Sequence, residues 1–401
     1  MRIGLIADTF PPLRTSGAVQ LRDLVREFVR QGHSLTVLLP ADGLNQSWEL
    51  EYFSGARVLR LRSPRIKNVG YVRRTIGEFV MPFAMFLSFL RSPLANEEFD
   101  GLVWYSPSIF HGPLVARLKR RSACKAYLII RDLFPEWAVD LGLMRRGAAY
   151  QFFRAVANYQ YAVADVIGVQ TPGNLKYFES WVGVPGRQTE VLQNWLGEAA
   201  GRRCRIRVEE TALALRRIFV YAGNMGIAQG MDVLLELAER FRSREDVGFL
   251  FVGRGSEAGR LAVQARLRGL DNVLFREEID PDEIPDLYSQ CHVGLVALDA
   301  RHRSHNIPGK FLTYMQSGLP VLASVNRGND LAAMIRTENV GRVCEEDGAE
   351  KLQMAAEELL DALVADPDYA QRCRSLFFRE FSAERAVRQI VGALAATTGW
   401  N

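Results

Sequence analysis

The sequence predicts an α/β protein of two doubly wound parallel-sheet (Rossmann-like) domains facing across a cleft. Three observations carry that expectation. The chain has 401 residues, more than one hydrophobic core comfortably serves. Short apolar runs alternate with stretches of helical period, the rhythm of a parallel sheet covered on both faces. That rhythm then starts afresh in the second half of the chain.

In the first half, strand-like runs fall at 3–7, 34–39, 57–61, 101–105, 126–130, 166–169 and 190–192. Between 19 and 31, Leu21, Leu24, Val25 and Phe28 recur on one helical face, and Gly32 follows where a left-handed turn ends a helix. Residues 202–211 are polar and arginine-rich and read as a linker. Strands are then expected at 218–222, 247–253, 273–275, 293–297 and 320–323, with helices at 231–241 and 257–268. A last helix at 383–396 lies beyond the second unit's strands and is placed to cross back to the first domain. The expected division is 1–200, 201–382 and the helix-bearing 383–401.

Hydrophobic residues make up 48% and charged residues 24%, an ordinary soluble composition that leaves no long disordered tail. The five cysteines are scattered, with no C-x-x-C pair and no zinc-ligand spacing, and read as reduced thiols. The opening Met1-Arg2-Ile3-Gly4 runs straight into a strand with no charged leader, so the protein is expected in the cytoplasm. Net charge is +4, but residues 1–197 hold 24 Lys/Arg against 16 Asp/Glu while the remainder hold 26 against 30. A basic first half suits an anionic surface such as phospholipid or lipid phosphate. Nucleic acid is not expected as a partner, because no helix-turn-helix, RNP or zinc-finger pattern is present. The run 79–90 is strongly apolar and flanked by Arg73, Arg74 and Arg91. It is too short to span a bilayer, which takes roughly 20 residues, and reads either as a buried helix or as one dipping into the membrane interface.

Several loops have the chemistry of phosphate cradles. Thr15-Ser16-Gly17 opens the first helix, where free N–H groups and the dipole suit an anion. Gly223, Gly226 and Gly230 follow a strand and precede a helix, enclosing Asn224 and Gln229. Gly253-Arg254-Gly255-Ser256-Glu257-Ala258 fits the dinucleotide fingerprint, with Glu277 or Glu278 as the ribose acid, which keeps a dehydrogenase open. The strongest signal is Asn306-Ile307-Pro308-Gly309-Lys310-Phe311, a loop entering a helix with lysine in its first turn. A cation there opposes the helix dipole unless an anion is bound as well.

Taken together, the second half resembles the family 4 glycosyltransferases of the GT-B fold. The matching residues are the Gly223–Gly230 loop, the Phe251-Val252-Gly253-x-Gly255 turn, the run Asp282-Glu283-Ile284-Pro285-Asp286-Leu287-Tyr288, and the block from Pro308 through Lys310 and Gly318 to Val321. In the first half, Phe10-Pro11-Pro12, Gly17 and Arg131-Asp132-Leu133-Phe134-Pro135-Glu136 resemble the branch that builds bacterial surface polysaccharide and O-antigen and includes N-acetyl-L-fucosamine transferases. The resemblance implies that Lys310 holds the donor diphosphate and that Gly17, beside Ser16, offers it a backbone N–H. The loop of Gly223, Asn224, Gly226 and Gln229 would complete the phosphate pocket. Gly253, Arg254 and Ile279 would hold the base, and His305, Asn306, Pro308, Gly309 and Thr313 would line the donor site. The family's two glutamates eight residues apart are replaced by His305 and Thr313, and its basic residues in the first glycine loop by Asn224 or Ile227 and by Gln229. Lys310 and backbone amides are left with more of the diphosphate's charge.

Glycosyl transfer needs a stabilised leaving diphosphate and a positioned acceptor hydroxyl. Lys310 suits the first need, and no D-x-D-like motif asks for a metal, so the expected metal and cofactor set is empty. His111 and Asp132 are the candidates beside the acceptor, with capping of the next helix as the alternative role for Asp132. The expected reaction moves a sugar, an N-acetylated or 6-deoxy amino sugar, from a UDP-sugar to a polyprenyl-diphosphate-linked saccharide in O-antigen, LPS or capsule biosynthesis. It would take place on the inner face of the cytoplasmic membrane, with the enzyme attached peripherally. A UDP-sugar epimerase or hydrolase, or a non-catalytic nucleotide-binding module, are the alternatives.

Overall fold

The computed structural model describes residues 1–401 except 14, 68, 141, 182, 200, 300–306, 347 and 397–401. The chain divides into two compact units, Met1–Gly197 with Ala383–Asn401, and Glu198–Ser382.

The first unit is an eight-stranded sheet. Its strands are β1 (Arg2–Ile6), β2 (Ser34–Ala41), β3 (Trp48–Phe53), β4 (Ala56–Arg62), β5 (Gly101–Tyr105), β6 (Lys125–Ile129), β7 (Val166–Val169) and β8 (Gln188–Val191), in the order β3-β4-β2-β1-β5-β6-β7-β8. Every pairing is parallel except β3 on β4. The connecting helices are α1 (Ser16–Arg30), α2 (Tyr71–Leu90), α3 (Gly112–Ser122), α4 (Glu136–Asp140) and α5 (Ala148–Val163). β5 is buried at every position and β1 from Ile3 onward because both sheet faces are covered. Val103 and Tyr105 join Leu21, Leu24, Val25 and Phe28 of α1 in one core, while Leu102 and Trp104 join Met81, Met85 and Phe89 of α2 in the other. Each such side chain contributes about 1.5–3 kcal/mol through burial.

The second unit is a six-stranded parallel sheet in the order β11-β10-β9-β12-β13-β14. These strands are β9 (Arg217–Ala222), β10 (Val247–Val252), β11 (Val273–Arg276), β12 (Val293–Ala297), β13 (Val321–Ser324) and β14 (Gly341–Cys344). Its helices are α6 (Asp232–Arg240), α7 (Ala258–Leu267), α8 (Ile284–Tyr288), α9 (Gly309–Ser317), α10 (Asp330–Glu338), α11 (Ala349–Ala365) and α12 (Tyr369–Leu376). The final helix, α13 (Ala383–Ala395), packs in the first unit against α1 and β6. There Val387 and Ile390 join the α1 core, and Gln389 Nε2 donates to Glu190 Oε1 at 2.8 Å and to the Val191 carbonyl at 2.9 Å.

Two strands escape the sequence reading. β3 is half-exposed and its alternating Trp48-Glu49-Leu50-Glu51 gives it no continuous apolar run, and β14 is four residues long. The first helix begins earlier than residue 19, since Thr15 caps it by accepting from Ala18 N at 3.3 Å. The apolar run 79–90 is the second half of the 20-residue α2, which buries one face and exposes the other. Met81, Met85 and Phe89 face the core, while Phe79, Val80, Phe83, Leu87 and Leu90 are exposed. No helix among the described residues is long and apolar enough to cross a membrane.

Candidate functional site

The loops after β9 and β10 lie against each other, and α9 brings Lys310 onto them. Lys310 Nζ sits 3.6 Å from the centroid of the Tyr221 ring. A Cβ on Gly223 would come within 3.9 Å of that Nζ, so the lysine runs along the glycine loop. No ion pair joins Lys310 among the described residues, and burial pushes its pKa down to about 7. A desolvated lysine at the start of a helix, held on a ring face and without a carboxylate, is a site prepared for an anion. Tyr221 holds its own place by donating from its hydroxyl to the Asn224 carbonyl at 2.6 Å.

The glycines around Lys310 serve the loops themselves. Gly253 has φ +148° and Gly255 φ +149°, which L side chains rarely adopt. A Cβ at Gly253 would overlap the Gly223 carbonyl, and one at Gly255 would overlap that of Met225. The contact is sealed by Met225 N donating to the Arg254 carbonyl at 2.8 Å and Glu257 N donating to that of Met225 at 2.9 Å. This changes the expected amide cradle. Gly223 N donates to the Val252 carbonyl, Gly253 N to that of Arg276, and Gly226 N to Gln229 Oε1 at 2.9 Å. Asn224 Nδ2 also donates to Gln229 Oε1, at 3.2 Å. Asn224, Gly226 and Gln229 therefore brace the loop, and the N–H groups of Gly223, Gly226 and Gly253 already have acceptors in the protein.

Arg254 is exposed and pairs with Glu278 at 3.0 Å, beside the buried Ile279. Pro308 and Gly309 form the start of α9, and Thr313 Oγ1 donates back to the Gly309 carbonyl at 3.4 Å. His305 and Asn306 lie outside the described residues. The remaining candidates of this unit thus fall on the loops after β9 and β10, the segment after β11 and the start of α9.

Ser16, Gly17, His111 and Asp132 belong to the first unit, at the carboxyl edge of its sheet. Ser16 and Gly17 open α1, and a Cβ on Gly17 would stand 3.2 Å from Thr9 Cγ2 and 3.4 Å from the Tyr105 hydroxyl. His111 is fully buried ahead of α3, and neither ring nitrogen has a hydrogen-bond partner among the described residues. Burial lowers its pKa, while the nearby Asp8 acts the other way. Asp132 is exposed, its carboxyl held above the usual range by desolvation from surrounding protein, with Arg131 opposing. It does not cap α4, which starts four residues later at Glu136 after a cis Phe134–Pro135 bond.

The sequence reading missed what fixes this edge. Arg131 lies 4.4 Å over the Trp195 ring, and its Nη1 donates to the Leu192 carbonyl at 3.2 Å. Trp195 Nε1 in turn donates to the Gln20 carbonyl at 2.7 Å, tying the segment after β8 to α1. Lys67 donates to the Asp8 carbonyl at 3.0 Å, and the Asp8 charge helps raise the pKa of Glu78 on α2, where burial is the larger cause. Asp8 stands two residues after β1, at the carboxyl edge where ligands of such sheets bind, and that signal was available.

Known proteins match both units. Residues 216–362 match the family described as "Glycosyl transferases group 1" and residues 16–195 the "Glycosyl transferase 4-like domain". The putative colanic acid biosynthesis glycosyl transferase WcaI of Escherichia coli is 24% identical over 305 residues, 73% of each chain. The probable glycosyltransferase WbjE of Pseudomonas aeruginosa is 23% identical over 242 residues, 55% of this chain and 56% of its own. Among solved structures, Anabaena HepE in complex with UDP and glucose superposes with TM-score 0.67 at 15% identity, covering 99% of this chain and 100% of its own. WaaG, a glycosyltransferase involved in lipopolysaccharide biosynthesis, superposes with TM-score 0.62 at 15% identity over 98% and 100%.

Proposed function

The chain belongs to the family 4 glycosyltransferases of the GT-B fold and is a transferase enzyme, and from that premise we propose that it transfers a sugar from a UDP-sugar to a lipid-linked saccharide. The single observation that carries the donor half is Lys310, a desolvated lysine on the Tyr221 ring with no carboxylate beside it among the described residues. As the glycosidic bond breaks, negative charge gathers on the departing diphosphate while the sugar becomes oxocarbenium-like. A cation already partly withdrawn from water stabilises that charge with little reorganisation. Lys310 supplies this neutralisation in place of a bound metal. HepE has been solved with UDP, with UDP-glucose, and with UDP and glucose, which supports UDP as the nucleotide.

The acceptor half rests on the first unit. His111, Asp132 and Asp8 offer a base or hydroxyl partner at one sheet edge, and the exposed apolar face of α2 with Arg73 and Arg91 beside it suits an anionic membrane surface. The transferred sugar is an N-acetylated or 6-deoxy amino sugar, and the product belongs to O-antigen, LPS or capsule assembly. The similarity to WcaI, a putative colanic acid biosynthesis glycosyl transferase, supports assembly of a surface polysaccharide.

The test is a panel of UDP-, GDP- and dTDP-sugars, first by thermal shift and then by radiolabel transfer into a lipid extract. UDP should stabilise the protein, and one UDP-sugar should pass its label to the lipid fraction. Stabilisation by GDP or dTDP alone, or release of free sugar with no lipid product, overturns the reading.

A further inference from the structure

We propose that the groove between α2, α3 and α5 holds the polyisoprenyl chain of the lipid-linked acceptor, an inference that rests on the acceptor class proposed above. The groove has a volume of about 280 Å³, near the lower end of small-molecule sites at ~300 Å³. It accommodates a stretch of chain rather than a whole lipid. Its walls are Phe79, Pro82 and Phe83 of α2, Phe110 ahead of α3, and Phe152 and Tyr159 of α5. Four of these aromatic side chains, Phe79, Phe83, Phe152 and Tyr159, are more than a third exposed. That much clustered aromatic surface left open to water marks a binding face rather than a core.

Two features select the occupant. The first is continuity with the polar edge of the sheet. Phe110 lines the groove and His111, the next residue, is the buried imidazole with no hydrogen-bond partner among the described residues. From Phe152 the rings continue through Phe153 at 5.3 Å to Phe134 at 5.1 Å, two residues from Asp132. The groove thus leads by chain from Phe110 to His111, and by ring contact from Phe152 to the segment that carries Asp132. The second feature is charge. Arg117 lies 5.0 Å over the Phe83 ring, and Arg145, Arg146 and Arg154 are exposed on or beside α5. An apolar chain carrying an anionic phosphate head meets both demands. The remaining exposed stripe of α2, from Tyr71 to Leu90, continues the groove and lets the rest of the chain stay in the bilayer.

The probe is a benzophenone analogue of farnesyl phosphate, photolysed with the full chain and mapped by mass spectrometry. Excess polyprenyl phosphate serves as competitor and phosphatidylglycerol vesicles as the lipid control. Label should fall within 79–90 and 148–163 and be displaced by polyprenyl phosphate but not by the vesicles. Ala155→Trp fills the groove from an exposed position of α5 and should lower labelling about ten-fold, the scale of one aromatic's burial. Phe152→Ser is the second variant should that one misfold, and its UDP-induced thermal shift should match the unaltered protein's. Label elsewhere, equal displacement by phosphatidylglycerol, or unchanged labelling in both variants overturns the assignment. A protein that responds to UDP but not to the probe defeats the groove and leaves the donor reading standing. One that takes the probe but ignores UDP does the reverse.

Discussion

The two units carry the same kind of sheet edge and equip it in opposite ways. In the second, Lys310 lies on a loop made of backbone, where glycines let two turns touch and a tyrosine ring supports the lysine. In the first, side chains fill the edge. Arg131 is held on Trp195, and His111 sits buried near Asp8, with Asp132 exposed beside Arg131. The contrast follows the chemistry each would serve. A diphosphate is the same on every donor of one nucleotide class, so one fixed charge on rigid backbone suffices. A saccharide acceptor presents hydroxyls, which side-chain donors and acceptors must match.

The largest expected effect removes the Lys310 cation. Lys310→Ala should lower transfer by about 10²–10³-fold or more, the loss typical of removing one preorganised charge-stabilising donor. Its unfolding transition should stay close to the parent's, because the contact with the Tyr221 ring is offset by the cost of withdrawing the amine from water. Steady-state transfer and a thermal melt of one preparation decide it. Near-normal turnover would break the comparison at its centre.

Glycine replacements sharpen the contrast between backbone and side chain. Gly255→Ala places a Cβ into the Met225 carbonyl at positive φ and should destabilise the second unit by more than about 2 kcal/mol. Gly17→Ala meets only ordinary or slightly tight contacts on Thr9 and Tyr105 and should shift stability by less than about 1 kcal/mol. Denaturant unfolding of both variants reads the difference, and equal losses would remove the distinction.

The fold was legible because its signals are local and repeated. A parallel strand covered on both sides is a continuous apolar run, and α1 shows its buried face at helical spacing. The Lys310 block was legible for a similar reason, since a lysine beside glycine at a helix start contradicts the dipole within four residues. Tyr221 was not, because nothing local separates a core tyrosine from a ring awaiting a lysine 89 positions away. Nor was the role of Gly253 and Gly255 as packing residues. Their partner loop lies about 30 residues earlier in the chain, and the dinucleotide pattern suggested ligand contact instead. The 20-residue length of α2 escaped as well, because its first turns carry Arg73, Arg74 and Glu78 and look like a solvated segment.

Donor binding should also depend on pH through Lys310. With its pKa pushed down to about 7, the free protein's lysine is largely neutral at pH 8. An anionic diphosphate favours the charged form, so binding takes up a proton. UDP affinity should then fall by up to about ten-fold per pH unit above 7, until the pH reaches the raised pKa of the complex. Titration calorimetry in buffers of different ionisation enthalpy reads the proton directly. A flat affinity from pH 7 to 9 would mean that the lysine is charged before the ligand arrives.

The smallest effect tests the first unit. His111 is buried with both ring nitrogens unpartnered among the described residues, an arrangement that costs stability unless a ligand completes it. His111→Phe should therefore stabilise the protein, by about 1–2 kcal/mol, while lowering transfer. The pH dependence has a definite sign. The folded-state pKa is depressed by burial, so the unfolded chain binds more protons and the parent loses stability as pH falls below its ordinary value near 6.5. The variant should lack that acid loss, so its advantage should widen from pH 7 to 5.5. If the variant is instead less stable and its deficit does not change with pH, His111 is a packed core residue, and the first unit's edge must do its work through Asp132 and Asp8.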